Sequence, residues 1–165
     1  MIITLCGSAK FEHVFHAWNE VLTLSGHTVF GLAVYPSNKK KNKNWYTPQE
    51  KELLDKAHLQ KIDASDAVMV LNKHAYIGES TMREIEYAKK HKKKLYALES
   101  WGKGLGVSYG HEEAYQQSAK KYGALHFKSP IDTFYPFFSD PWSLLPEAGV
   151  FRSTLVERLE KADAK

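Results

Sequence analysis

The chain has 165 residues, of which 43% are hydrophobic and 25% charged, with a formal net charge of +4. These values suit one domain with an ordinary buried core. Cys6 is the one cysteine, which excludes an internal disulfide or a multi-cysteine metal centre and fits a reducing compartment. No apolar run reaches the roughly 18 residues that mark a membrane-spanning helix. The N-terminus has no signal-peptide pattern, so a cytoplasmic protein without a membrane partner is expected.

Ile2 to Cys6 is a short apolar run closed by Gly7-Ser8, a strand followed by a turn. Phe11, Val14, Phe15, Trp18, Val21 and Leu22 recur at helical spacing up to Ser25-Gly26. Thr28 to Tyr35 reads as a second strand, and the polar, basic stretch from Ser37 to Tyr46 as a loop. Thr47-Pro48-Gln49-Glu50 carries the signs of a helix start. The helix it opens has Leu53, Leu54, Ala57, Leu59 and Ile62 as its apolar positions.

Asp66 to Asn72 is a continuous apolar run, as in a central parallel strand. A helix over Ser80 to His91 and a strand over Lys94 to Leu98 follow. Farther on, the reading gives a helix over Glu112 to Tyr122 and a short fifth strand over Ala124 to Phe127. An irregular, aromatic-rich segment then covers 129–146, and Val150 to Ala162 is a terminal helix. Strands alternating with helices predict one α/β domain spanning 1–165. Its expected form is a flavodoxin-like (Rossmann-like) three-layer sandwich around a mostly parallel five-stranded sheet.

In such sheets ligands bind beyond the carboxyl ends of the strands, which selects two turns. The first, Cys6-Gly7-Ser8-Ala9-Lys10-Phe11, leads from strand to helix. Gly7 permits close backbone approach, the helix start offers free N–H groups, Ser8 adds a hydroxyl and Lys10 a charge. This is either a phosphate or ribose cradle or a plain serine cap with a turn glycine.

The second turn is Tyr76-Ile77-Gly78-Glu79-Ser80-Thr81-Met82-Arg83-Glu84-Ile85-Glu86-Tyr87-Ala88. Thr81 and Glu84 have the T-x-x-E spacing of a capping box. The competing reading aims Glu84 into the pocket from the first turn of the helix. There the dipole favours a carboxylate able to act on a sugar carbon that bears positive charge.

The pattern Gly-x-Ser-Thr-x-x-Glu-Ile-x-Tyr-Ala resembles, in a Ser-Thr form, the nucleophile motif of the nucleoside 2-deoxyribosyltransferase superfamily. That superfamily includes the deoxynucleoside 5′-monophosphate N-glycosidases. Cys6-Gly7-Ser8 is similar to the phosphate-binding first turn of the monophosphate hydrolases, and Asp63 to Val70 to their third strand. The resemblance covers residues 1 to about 100, in the same order.

It implies that Glu84 is the nucleophile, that Ser80 stands where a small residue touches phosphate or sugar, and that Gly7 and Ser8 form the phosphate turn. Two positions depart from the family. Gly78 stands where an Asp often precedes the nucleophile, and His58 stands where the second helix carries an Asp. His58 is either a proton donor near neutral pH or a surface helix residue.

The residues expected to serve the site are therefore Glu84 and His58 as catalytic groups, with Cys6, Gly7, Ser8, Lys10, Asn72, Gly78, Ser80 and Thr81 binding substrate. Asn72 lies at the carboxyl end of the third strand, and Tyr35, Trp45, Tyr46 and Tyr76 are candidates to stack on a base. Asp66 reads as a turn or cap residue at the amino end of its strand. Glu99 to Gly102 follows the fourth strand, and the glycine-rich 102–110 reads as a loop or lid.

His13, His16 and His111 show no ligand spacing, so no metal and no cofactor is expected. Lys39 to Lys43 and Lys89 to Lys94 read as a solvated loop and a basic helix end, which ranks nucleic acid last among partners. The expected activity is cleavage or transfer at the N-glycosidic bond of a nucleoside or nucleoside 5′-monophosphate, and the alternative is a nucleotide-binding or sensing domain. A homo-oligomer is expected from the family resemblance, with Phe134 to Leu145 as its candidate interface.

Overall fold

The computed structural model of the chain describes residues 1–35, 46–73, 76–98, 138–139 and 141–145. Its first strand, β1 (Ile2–Gly7), alternates its side chains between two apolar layers. Ile3 and Leu5 face one layer and Cys6 the other. A single turn of 3-10 helix (Ala9–Phe11) leads into α1 (Glu12–Leu24). Val14, Phe15, Trp18, Val21 and Leu22 of α1 are all buried against the Ile3 and Leu5 face. Each such side chain removed from water contributes on the order of 1.5–3 kcal/mol before conformational entropy is counted.

β2 (Thr28–Phe30) pairs with β1, and α2 (Pro48–Asp63) brings the chain back to β3 (Ala67–Leu71). α3 (Glu79–Lys90) and β4 (Lys94–Ala97) follow, and β5 (Phe138–Ser139) adds the last strand. The strands lie in the order β2-β1-β3-β4-β5, and every pair is parallel. This is the flavodoxin-like order, with α1 on one face of the sheet and α2 and α3 on the other. Every residue of β3 is buried, as its unbroken apolar run requires when both faces are covered.

Two of the sequence expectations need correction. The second strand stops at Phe30 instead of running to Tyr35. The Gly31 carbonyl accepts a 2.7 Å bond from Lys61 Nζ instead of joining a ladder, and Tyr35 packs back on Phe15 with ring centroids 5.4 Å apart. Next, Thr81 and Glu84 do not form a capping box. The helix begins earlier, with Gly78 at the N-cap and no side-chain cap, so both residues lie inside α3. Phe138–Ser139 supplies the fifth strand of the described sheet, within the segment read as irregular.

The segments Ala124 to Phe127, Glu112 to Tyr122 and Val150 to Ala162 lie outside the described residues. So do Lys39 to Lys43, Trp45, Glu99 to Gly102, the 102–110 stretch and His111.

Part of the aromatic-rich segment is built into the fold. Leu144 is buried in the α1 layer, and its carbonyl accepts a 2.8 Å bond from His27 Nε2. Other local readings agree with the structure. Thr47 and Glu50 form a reciprocal capping box at the start of α2. Asp66 sits at the amino end of β3, where its carboxylate accepts a 2.7 Å bond from the Ile2 amide. Lys93 caps the end of α2 by donating to the carbonyls of Asp63 and Ser65 at 2.7 and 2.8 Å. No helix among the described residues is long and apolar enough to cross a membrane.

Candidate functional site

β1 pairs with β2 on one side and β3 on the other, so the strand order reverses direction at β1. The crevice at such a reversal lies beyond the carboxyl ends of β1 and β3. Gly7, the last residue of β1, sits opposite Leu71 of β3. A Cβ on Gly7 would lie 3.1 Å from the Leu71 carbonyl oxygen and 3.3 Å from Phe15 Cζ, so the close approach of strand and helix leaves little room for a side chain there.

Ser8 then caps the 3-10 turn, accepting a long 3.4 Å bond from the Lys10 amide. Lys10 Nζ lies 5.1 Å above the ring of Tyr76, which itself meets Phe11 edge-to-face. The turns after β1 and β3 are therefore in contact. Asn72, at the end of β3, is buried.

The second set of candidates converges from three elements on the α2 and α3 side of the sheet. Cys6 faces that side by strand alternation, His58 comes from the middle of α2, and Glu84 lies in the second turn of α3. Cys6 Sγ is 3.4 Å from His58 Nε2, and His58 Nε2 is 3.8 Å from Glu84 Oε2. Cys6 is fully buried, and the His58 and Glu84 side chains keep 7% and 14% of their exposure. His58 is thus a buried group facing Glu84, and its reading as a surface helix residue is set aside.

The electrostatics of this cluster follow from burial. Desolvation pushes the Glu84 carboxyl up to about 7, with Asp55 adding to the rise and the Cys6 thiol and Arg83 opposing it. Desolvation, aided by Lys61, pushes His58 down to about 4. Burial and the neighbouring Glu84 carboxyl push the Cys6 thiol well above its ordinary value. The 3.8 Å contact between His58 and Glu84 has the spacing of an ion pair, yet burial favours the neutral form of both partners. The pair and its ionic form hold the same single proton, so they interconvert by moving it from oxygen to nitrogen. Glu84 Oε2 and His58 Nδ1 are buried with no hydrogen-bond partner among the described residues.

The remaining expected residues are divided. Thr81 is buried at the start of α3, whereas Ser80 accepts a 3.2 Å bond from Arg83, which also pairs with Glu79 and approaches Asp55 of α2. At Gly78 an added Cβ would find the Tyr76 ring at van der Waals distance. Cys6, expected among the substrate contacts of the first turn, instead turns its thiol towards His58. The alternation of β1 contained that signal, since Thr4 and Cys6 share a face, and Thr4 bonds Ser65 at 2.6 Å on the same side.

No family model matches the chain, and no curated protein matches it. Among solved structures it is similar to the 2-deoxyribosyltransferase of the psychrotolerant bacterium Bacillus psychrosaccharolyticus. That likeness has 17% identity and a TM-score of 0.44, covering 88% of this chain and 96% of the other. At that level it carries no functional argument, and the flavodoxin-like architecture rests on the strand order and pairing of the chain itself.

Proposed function

We propose that the protein cleaves or transfers at the N-glycosidic bond of a nucleoside or nucleoside 5′-monophosphate, with Glu84 as the nucleophile. The observation that carries this reading is the buried Glu84 carboxyl facing His58 Nε2 at 3.8 Å, beside the carboxyl end of β1. The motif around Glu84, together with the Cys6-Gly7-Ser8 turn, supports the same assignment through its resemblance to the nucleoside 2-deoxyribosyltransferase superfamily.

In the reactive form the shared proton sits on His58 and Glu84 is ionised. Glu84 attacks the anomeric carbon as the C–N bond breaks and the base departs with the bonding pair. The proton on His58 reaches the base directly or through a water. Water or an acceptor base then displaces Glu84 from the sugar as a carboxylate, and the now neutral His58 takes up the proton that the incoming group loses. The low polarity around Glu84 makes a carboxylate there reactive, because it stabilises positive charge on the sugar with little solvent screening. Gly7, Ser8 and Lys10 would seat a phosphate or sugar hydroxyls at the adjoining turn. The test is release of free base by wild type and by Glu84→Gln. Release by wild type alone supports the reading, and equal release by both removes Glu84 from the chemistry.

One observation favours a second reading, a nucleotide-binding or sensing domain. Only 14% of the Glu84 side chain is exposed, and Cys6 and His58 are closed off. A sensor would show nucleotide-induced thermal stabilisation that survives Glu84→Gln, with no product formed.

A further inference from the structure

The Cys6, His58 and Glu84 cluster has a property that sugar chemistry does not use. It brings a thiol, an imidazole and a carboxyl from three separate elements to within 4.8 Å of one another. A tetrahedral zinc site, with Zn–S of about 2.3 Å and Zn–N of about 2.0–2.1 Å, holds its sulfur and nitrogen roughly 3.5 Å apart. Here Cys6 Sγ and His58 Nε2 are already 3.4 Å apart. Glu84 Oε2 lies 3.8 Å from the same nitrogen and is buried without a hydrogen-bond partner among the described residues.

Charge and donor type point the same way. A thiolate and a carboxylate carry two negative charges, which one divalent cation neutralises in a site that water reaches poorly. Sulfur and imidazole donors suit Zn2+ and its borderline-soft neighbours, whereas Mg2+ and Ca2+ take oxygen ligands. Three protein ligands leave a fourth position, as in zinc sites that exchange a water.

We propose that Cys6, His58 and Glu84 form a three-ligand binding site for a thiophilic divalent cation of the Zn2+ class, with its fourth position open to water or a small anion. Binding displaces the Cys6 thiol proton, and the carboxyl proton where Glu84 carries one, to solvent. The site goes beyond the glycosidic reading and stands without it. If both hold, the cation ties up the Glu84 carboxylate and Zn2+ inhibits base release.

The test uses the full chain, stripped with a chelator and titrated with Co2+ as a spectroscopic substitute, with no nucleoside present. The expected result is one Co2+ per chain with a thiolate-to-cobalt charge-transfer absorption that Zn2+ abolishes. That absorption is expected to vanish in Cys6→Ser, and Co2+ affinity to fall at least about tenfold in Glu84→Gln. Absence of the charge-transfer band in wild type, or its persistence in Cys6→Ser, overturns the proposal. A measurement on the wild type guards against misfolded variants: zinc X-ray absorption is expected to show one sulfur in the first shell, and a sulfur-free shell overturns the site. Because none of these readouts involves base release, failure here and failure of the glycosidic reading are told apart.

Discussion

Glu84 Oε2 lies 3.8 Å from His58 Nε2, with both side chains more than four-fifths buried, and Glu84 Oε2 has no hydrogen-bond partner among the described residues. Burial moves the two groups past each other. Free in solution, the histidine keeps its proton to 6.5 and the carboxyl loses its own at 4.5, whereas in the fold the carboxyl holds a proton to about 7 and the histidine only to about 4. Folded and unfolded pairs therefore each carry one proton across the middle of that range, on opposite partners.

A stability signature results. Glu84 is raised in the fold, so its contribution is present below 4.5 and lost as pH rises to about 7. His58 is lowered in the fold, so its contribution is present above 6.5 and lost as pH falls to about 4. The two slopes oppose, and between about 4.5 and 6.5 the pair adds almost no pH dependence. In Glu84→Gln only the histidine slope remains, and stability is expected to rise with pH across that window. In His58→Asn only the carboxyl slope remains, and stability is expected to fall. Urea midpoints measured across the window in chelator-containing buffer check both signs; two flat profiles would contradict the assignment.

His58→Ala is expected to slow base release by roughly 10²- to 10⁴-fold, the range for loss of a group that moves a proton in the transition state. It leaves in place the Gly7-Ser8 turn proposed to seat the phosphate, so KM for a 5′-monophosphate is expected to change much less than kcat. Steady-state kinetics separate the two quantities. An equal loss in both would indicate that the histidine acts by shaping the pocket.

Gly7→Ala places a methyl group 3.1 Å from the Leu71 carbonyl oxygen and 3.2 Å from Leu71 Cβ. The backbone oxygen is held in the β1 and β3 pairing, so the strands have to give by a few tenths of an ångström. A loss of about 1–3 kcal/mol is expected, as for overpacking elsewhere, read from urea unfolding.

Thr47→Ala removes the side-chain oxygen that accepts the Glu50 amide at 3.2 Å. Loss of this N-cap is expected to cost about 1 kcal/mol. His58 lies three turns along the same helix, so base release by the folded variant at low temperature is expected to match wild type. A thermal melt together with an activity assay below the transition checks this pair of outcomes.

The first four strands and the three α-helices of the described residues were legible because their signals are local, though the second strand is shorter than its pattern. The unbroken apolar run of β3 and the helical spacing of Phe15, Trp18 and Leu22 each need only a short window. Glu84 and His58 were legible as candidates through the motif and its departure from the family. Two things were hidden. The Thr81 and Glu84 spacing suggested a cap, but the helix starts at Glu79, one residue sooner than the predicted Ser80, with Gly78 as its N-cap, and the pattern of polar residues alone cannot set that boundary. The meeting of Cys6 with His58 lies across 52 residues of chain: strand alternation groups Cys6 with Thr4, but it does not say that their face packs on α2.

Glu84, as the proposed nucleophile at a glycosidic bond, is tested most directly by one measurement. Wild-type and Glu84→Gln proteins, both stripped of metal, are incubated with pooled nucleosides and nucleoside 5′-monophosphates, and free base is resolved by chromatography. Release by wild type and none by the variant is the expected result, and it names the substrate. Release at the same rate from both proteins, or from neither while nucleotides still raise the melting temperature, would contradict it.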